Sequence, residues 1–206
     1  YSYNEEDHSE AYNILYRDLR AGHQAYVICP MVTGDDEGKK SVEETAQKIR
    51  NLFSGIEVGE VHGKMDPQKK NEVMTAFASG SIKILVATTV VEVGVNVPNA
   101  TVIIIEGANN FGMLQLHQLR GRVGRGKDQS YCIFMNASDK PCEKLEILAK
   151  SNDGFEIAEA DYNLRKAGDL LGTQQSGNMG FLLADIVKDE DILKEAEEAV
   201  KEHIQN

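Results

Sequence analysis

Tryptophan is absent from the 206 residues, proline occurs only four times, and the three cysteines, Cys29, Cys132 and Cys142, form an odd set without CxxC spacing. That pattern argues against a disulfide framework or a cysteine-built zinc site. Two of the three sit in apolar, strand-like runs, so buried reduced thiols and no metal centre are the expectation. Long hydrophobic runs are also lacking. The longest, "IKILVATTVVEVGV" at 82–95, contains Lys83 and Glu92 and falls short of the roughly eighteen clean apolar residues that a membrane span needs. The opening "YSYNEEDHSE" has neither the basic nor the apolar region of a secretory signal, and it lacks a start methionine. A soluble, cytoplasmic chain without a membrane partner, excised from a longer one, is expected. An apolar fraction of 41% is enough for a real core, in one domain with an appendage or two small ones.

Positive charge is scarce, with 22 Lys and Arg against 33 Asp and Glu, a net charge of −11. Such a balance excludes a wholly electrostatic nucleic-acid binder, which would be basic overall. The charge is nevertheless segregated. Acids gather at the start, in "GDDEGKK" (34–40) and in the tail "KDEDILKEAEEAVKEHIQN", whereas 111–127 carries only positive side chains.

Apolar runs alternate with helical patterns from Tyr12 to about Met135, which predicts a parallel sheet with crossover helices. The first helix is expected over 4–20. "QAYVICP" (24–30) reads as a strand closed by Pro30, and Ser41 with Glu44 forms an S-x-x-E capping box for a helix running to about Phe53. "IEVGEV" (56–61) is the next strand; Asp66 and Pro67 then give an N-cap and a first-turn proline for a helix ending near Gly80. Strands follow at 82–88, 101–105 and 130–135, with a helix leading into "QLHQLRGRVGRG" (115–126) before the last. After Met135 the alternation stops. Helical patterns at 139–150 and 154–166, the Gly-rich 167–180 and a charged helix near 188–204 place a boundary near residue 136, with domains at 1–135 and 136–206.

Three stretches could carry chemistry, and a fourth is a decoy. "GDDEGKKS" (34–41) imitates a phosphate loop but has three residues between its glycines rather than four, a second lysine where Ser or Thr belongs, and acids that repel phosphate. It reads as a solvated loop, and no other stretch supplies a P-loop. His62, Gly63 and Lys64 lie where a strand ends and a helix approaches, the ligand-facing edge of an α/β sheet. There a glycine lets a backbone amide approach phosphate and Lys64 adds charge. By themselves these would be a turn glycine and an exposed lysine. "ATTVVEVGVNVPNA" (87–100) ends another strand at that edge, with Thr88 and Thr89 as hydroxyl donors. The third stretch is 115–126, with Arg120, Arg122 and Arg125 around Gly121 and Gly124; alone it would be a solvated basic turn.

In order, "VHGKM", "VMTAF", "ILVATTVVEVGVNVPNA" and "QLHQLRGRVGRG" resemble motifs IV, V and VI of the second RecA-like domain of superfamily 2 helicases, in the form shared by branch-migration helicases and the transcription-repair coupling factor. "DGFEIAEADYNLRKAGDLLGTQQSG" (153–177) resembles the translocation motif of those two families, so almost the whole chain is covered. The resemblance implies an α/β, RecA-like parallel sheet flanked by helices, a P-loop NTPase-like fold without its own P-loop, followed by a small helical region. It implies a motor domain of an ATP-dependent DNA helicase acting on branched DNA such as stalled forks and Holliday junctions. ATP and Mg²⁺ would be held mainly by the first RecA-like domain of the same polypeptide, which would also carry a wedge domain.

By the same resemblance Gln118, Arg122 and Arg125 occupy the Q-x-x-G-R-x-x-R positions, with the two arginines donated across the cleft to the transferred phosphoryl group. His62, Gly63, Lys64, Met65, Thr88 and Thr89 correspond to DNA-backbone contacts. Glu92, Gly94 and Asn96 fall in the segment that links DNA to nucleotide. Arg165 and Gln175 flank the translocation loop and are expected to couple closure to DNA movement. Asn96 stands where many relatives carry Asp, and "RKAG" and "GTQQ" within 165–175 stand where relatives show Gly-Pro and an arginine. The domain of a coupling translocase, and a non-catalytic binding module on the same fold, are the alternatives; intact Arg122 and Arg125 count against the second.

Overall fold

The computed structural model describes residues 1–4, 8–30, 37–88 and 97–171. Its six strands, β1 (Ser2–Asn4), β2 (Gln24–Ile28), β3 (Val58–Val61), β4 (Ile84–Ala87), β5 (Ala100–Ile105) and β6 (Tyr131–Asn136), form one sheet in the order β1-β6-β5-β2-β4-β3. Every neighbouring pair is parallel. The helices are α1 (His8–Arg20), α2 (Glu37–Leu52), α3 (Pro67–Ala78), α4 (Met113–Arg120), α5 (Glu143–Lys150) and α6 (Gly154–Leu171). A short 3₁₀ turn, Ala108–Asn110, precedes α4.

Strand alternation decides which helix packs where. Val27, Val86, Val102, Ile104 and Ile133 join Leu15 of α1 and Val42, Ala46 and Ile49 of α2 in one apolar cluster. Their strand neighbours Tyr26, Leu85, Ile103, Ile105 and Phe134 join Phe77 of α3, Leu116 and Leu119 of α4 and Leu145 and Leu148 of α5 in the other. A sheet covered on both faces has no solvated side, which is why "ILVA" is an unbroken apolar run and "ATVIII" is interrupted only by Thr101, whose hydroxyl donates to Asp18 Oδ2 at 2.7 Å. Burying such a side chain stabilises by about 1.5–3 kcal/mol. Among the described residues no helix is long and apolar enough to cross a membrane.

The expected start of α3 held closely. Asp66 caps α3, accepting from the amides of Gln68 and Lys69 at 2.9 and 3.4 Å, and Pro67 opens the helix. The three cysteines are free, Cys29 buried and Cys132 and Cys142 half-buried. Burial pushes the Cys29 thiol up to about 11 against the pull of its contacts with Thr45 and Ser41, and pushes Cys132 up to about 12. Both thiols therefore stay protonated and unreactive at neutral pH.

Other expectations are corrected. The chain opens with a strand rather than a helix from residue 4: the amide of Phe134 donates to the Tyr1 carbonyl at 2.9 Å, so the free edge of β6 recruits "SYN" and α1 starts at His8. Ser41 and Glu44 do not cap a helix start, because α2 begins at Glu37 and takes in the end of the supposed loop; Ser41 is in its second turn, its carbonyl accepting from Cys29 Sγ. The helix expected from 139 begins only at Glu143, after Pro141 and an N-cap position at Cys142. In the Gly-rich stretch, α6 runs through Gly168 to Leu171, so that glycine is helical; the expected helix at 188–204 lies outside the described residues. The sheet does end at Asn136, where the boundary was placed, yet Leu145, Leu148 and Ile157 complete the α3–α4 face. Two compact units result, Tyr1–Ala167 and Gly168–Asn206.

Candidate functional site

Parallel topology sorts the candidate residues onto two edges of the sheet. A crossover helix returns antiparallel to its strands, so α4 ends beside the amino ends of β5 and β6, and its arginine turn sits there. The turn at 62–65 follows β3, and Thr88 follows β4; both are at the carboxyl edge. The chain leaves the carboxyl edge at Thr88 and is back at the amino edge by Val97. Residues 89–96, with Thr89, Glu92, Gly94 and Asn96, lie outside the described residues.

At the amino edge, α4 buries Met113, Leu116 and Leu119 against the sheet and leaves Gln118 exposed. The turn beyond it is tightly tied. The Arg122 amide donates to Leu119 O at 3.0 Å, Val123 is buried, and Arg125 Nε donates to Gly121 O at 2.9 Å. Gly124 holds φ +79°, a left-handed conformation that favours glycine. At Gly126 a Cβ would stand 2.9 Å from the Pro98 carbonyl, so the segment after the turn presses directly on the backbone entering β5. Arg122 is half-buried and Arg125 exposed. Burial raises the Tyr26 phenol above its ordinary value, and the positive charges of Arg122 and then Arg125 oppose it.

Arg120 behaves differently from the other two. Its Nη1 donates to Leu148 O at 2.7 Å and Ser151 O at 2.6 Å, and its Nη2 lies 2.9 Å from His117 Nδ1. Burial lowers its pKa, opposed by Cys132. The sequence grouped it with its neighbours, and nothing local sets it apart, since the two carbonyls it meets lie 28 and 31 residues away.

At the carboxyl edge, Val61 pairs in register with Ala87, so the ends of β3 and β4 bring His62 and Thr88 alongside each other, with the Thr88 amide 3.4 Å from Val61 O. Met65 N donates to His62 O at 3.1 Å, closing a tight turn; Gly63 has open space around its α-carbon and Lys64 is exposed. The half-buried His62 keeps Nδ1 buried without a hydrogen-bond partner. Thr88 is buried, so its side chain contributes less surface than the sequence suggested. Arg165, on α6, is exposed and pairs with Asp161 one turn back at 2.7 Å. Gln175 lies outside the described residues.

A parallel sheet wrapped by helices, with an arginine turn at one edge and a glycine-bearing turn at the other, matches a known domain: residues 9–127 fit the helicase conserved C-terminal domain, and the chain belongs to that family. The similarity narrows further. Residues 151–206 match the C-terminal part of domain 3 of ATP-dependent DNA helicase RecG. The chain is 47% identical over 180 residues to ATP-dependent DNA helicase RecG of Bacillus subtilis, covering 84% of this chain and 26% of that protein. With RecG of Synechocystis the identity is 42% over 196 residues, covering 93% and 24%. A structure of RecG bound to a three-way DNA junction superimposes with a TM-score of 0.68 at 36% identity, over 93% of this chain and 25% of that one. The chain thus spans about a quarter of the length of these relatives, and the fold is RecA-like. These matches favour RecG over the coupling factor.

Proposed function

We propose that this chain is the C-terminal motor domain of an ATP-dependent helicase that acts on branched DNA. The observation that carries the reading is the turn at 121–126, which holds Arg122 and Arg125 together on a braced backbone. Its support is the similarity to RecG, one structure of which is bound to a three-way junction. During phosphoryl transfer negative charge spreads over the oxygens of the transferred group, and a planar, permanently charged donor meets two of them at once. Arg122 and Arg125 would supply that charge to ATP, with Gln118 on the exposed side of α4 as a polar contact.

The residues present suit half of such a site. Guanidinium groups fit phosphate oxygens, but the sequence offers no P-loop, and among the described residues no group of three or more His, Cys, Asp or Glu could hold a metal. A first RecA-like domain would therefore hold ATP and Mg²⁺, and a wedge domain of the same polypeptide would engage the junction. His62, Gly63, Lys64, Met65, Thr88 and Thr89 would contact the DNA backbone. Such contacts position a strand without reading its sequence, as a motor that passes every base requires. Glu92, Gly94 and Asn96 fall in the stretch that returns from this edge to the arginine edge, which suits a link between DNA and nucleotide. Arg165 and Gln175 would couple closure to translocation. The domain division at 135/136 and a cytoplasmic location belong to the same reading.

The test is DNA-stimulated ATPase of the complete helicase with Arg125→Ala. The expected result is a steep fall in kcat with little change in KM for ATP, because the contact strengthens only in the transition state. A fall in nucleotide affinity at unchanged kcat would make the arginines ground-state anchors instead.

A further inference from the structure

The grip of Arg120 on the end of α5 is not accounted for by the chemistry above. The last carbonyls of a helix have no partner within it, and α5 is only eight residues long. Arg120 Nη1 donates to two carbonyls at that end, Leu148 O and Ser151 O, while Nη2 meets His117 Nδ1 on its own helix. Among the described residues Arg120 makes no ion pair with a carboxylate, so its charge is balanced by the negative end of the α5 dipole.

We infer that Arg120 is a positioning residue for Arg122 and Arg125: it holds the end of α4 against α5 and so fixes the turn from which they project. This rests on the reading of those two arginines given above. α4 is also eight residues long, and its N-cap Gly112 provides no side-chain hydrogen bond. Helices this short are not stable alone and need tertiary anchors. Leu116 and Leu119 anchor α4 towards the sheet, and Arg120 anchors its last turn sideways. Two residues later comes Arg122, whose amide bonds back to Leu119, and Arg125 bonds back to Gly121. Any rotation of the last turn of α4 is therefore passed to both side chains. A lysine cannot substitute, because a single ammonium on a thinner stem does not span three acceptors lying around a planar fork.

The experiment measures DNA-stimulated ATPase of the complete helicase for Arg120→Met, Arg120→Lys, Arg125→Ala and the double variant Arg120→Met/Arg125→Ala, each with its melting temperature and DNA affinity. Positioning predicts that Arg120→Met lowers kcat about 10²-fold, the cost of roughly an ångström of misplacement, with KM for ATP and DNA affinity unchanged. Arg120→Lys recovers little of the loss. The double variant loses less than the product of the two single losses, because only Arg122 is left for the grip to aim. Full kcat in the folded Arg120→Met protein overturns the inference, as does a loss that multiplies with that of Arg125→Ala. If Arg120→Met does not fold, Arg120→Gln, which keeps one amide fork, is read by the same criteria. Should Arg125→Ala itself keep full kcat, the role of the arginine pair fails first and the inference with it. Slow Arg125→Ala beside fast Arg120→Met removes the inference alone.

Discussion

The two edges of the sheet are built to different tolerances. At the amino edge, the turn at 121–126 is tied by backbone bonds, by buried Val123, by the left-handed Gly124 and by the press of Gly126 on Pro98, and Arg120 braces the helix that leads into it. At the carboxyl edge, the 62–65 turn is closed by one backbone bond, has open space at Gly63 and keeps a buried His62 nitrogen unpartnered. The difference teaches what each edge is suited for. Stabilising a transition state demands donors fixed before the reaction, whereas gripping a phosphate backbone that slides past demands only approachable donors.

The largest effect is expected where preorganised charge is removed. Arg122→Ala should match Arg125→Ala, each lowering kcat of the complete helicase by up to about 10³–10⁵-fold, the range seen for arginine fingers. Steady-state phosphate release at saturating ATP and DNA measures it, and a loss below tenfold would place both arginines outside the reaction.

Next comes rigidity without any change of charge. Gly126→Ala puts a methyl group against the Pro98 carbonyl, a backbone atom that cannot swing aside, so the turn must shift. The expected outcome is about a 10²-fold loss of kcat, together with a destabilisation of about 1–3 kcal/mol in urea melts. Gly63→Ala is the matching change at the open edge and should leave both quantities close to those of the parent. Equal losses at the two glycines would erase the contrast between the edges.

A smaller effect is expected from charge at the carboxyl edge. Lys64→Ala should weaken DNA binding uniformly across sequences and reduce the slope of log affinity against log salt by about 1. ATPase at saturating DNA should hold. Salt titrations on forks of differing sequence check this, and a sequence-dependent loss would mean that Lys64 reads bases.

The smallest effect concerns the support of that edge. Asp66→Ala leaves the amides of Gln68 and Lys69 without their cap and should cost about 1 kcal/mol of stability in denaturant melts. DNA affinity should change little, since the helix itself persists.

Much of this was legible in the residues. The strands were found because a sheet covered on both faces leaves continuous apolar runs, and the start of α3 because Asp-Pro supplies a cap and a fixed φ within two positions. Ser41 and Glu44 misled, since a capping pattern is local and the chain upstream was already helical. The strand Ser2–Asn4 was missed because three residues carry no period, and their partner Phe134–Asn136 lies 132 residues further along the chain. Of the site residues, Arg122 and Arg125 stood out only through the resemblance, as the arginines of the Q-x-x-G-R-x-x-R pattern, since alone the stretch read as a solvated basic turn. Arg120 looked the same in sequence and does something else.

By itself the sequence determined the kind of fold and the identity of the charged groups, because hydrophobic period and the choice of arginine or glycine are written residue by residue. Only the tertiary structure decided where those groups lie. That the arginine turn and the His62 turn fall on opposite edges follows from every strand running the same way, a property of pairing between segments and not of any one of them. That Arg120 is held to the end of α5 follows from the carbonyls of Leu148 and Ser151 ending a helix within its reach. Backbone carbonyls are common to every residue type, so no side-chain pattern in the sequence could announce them.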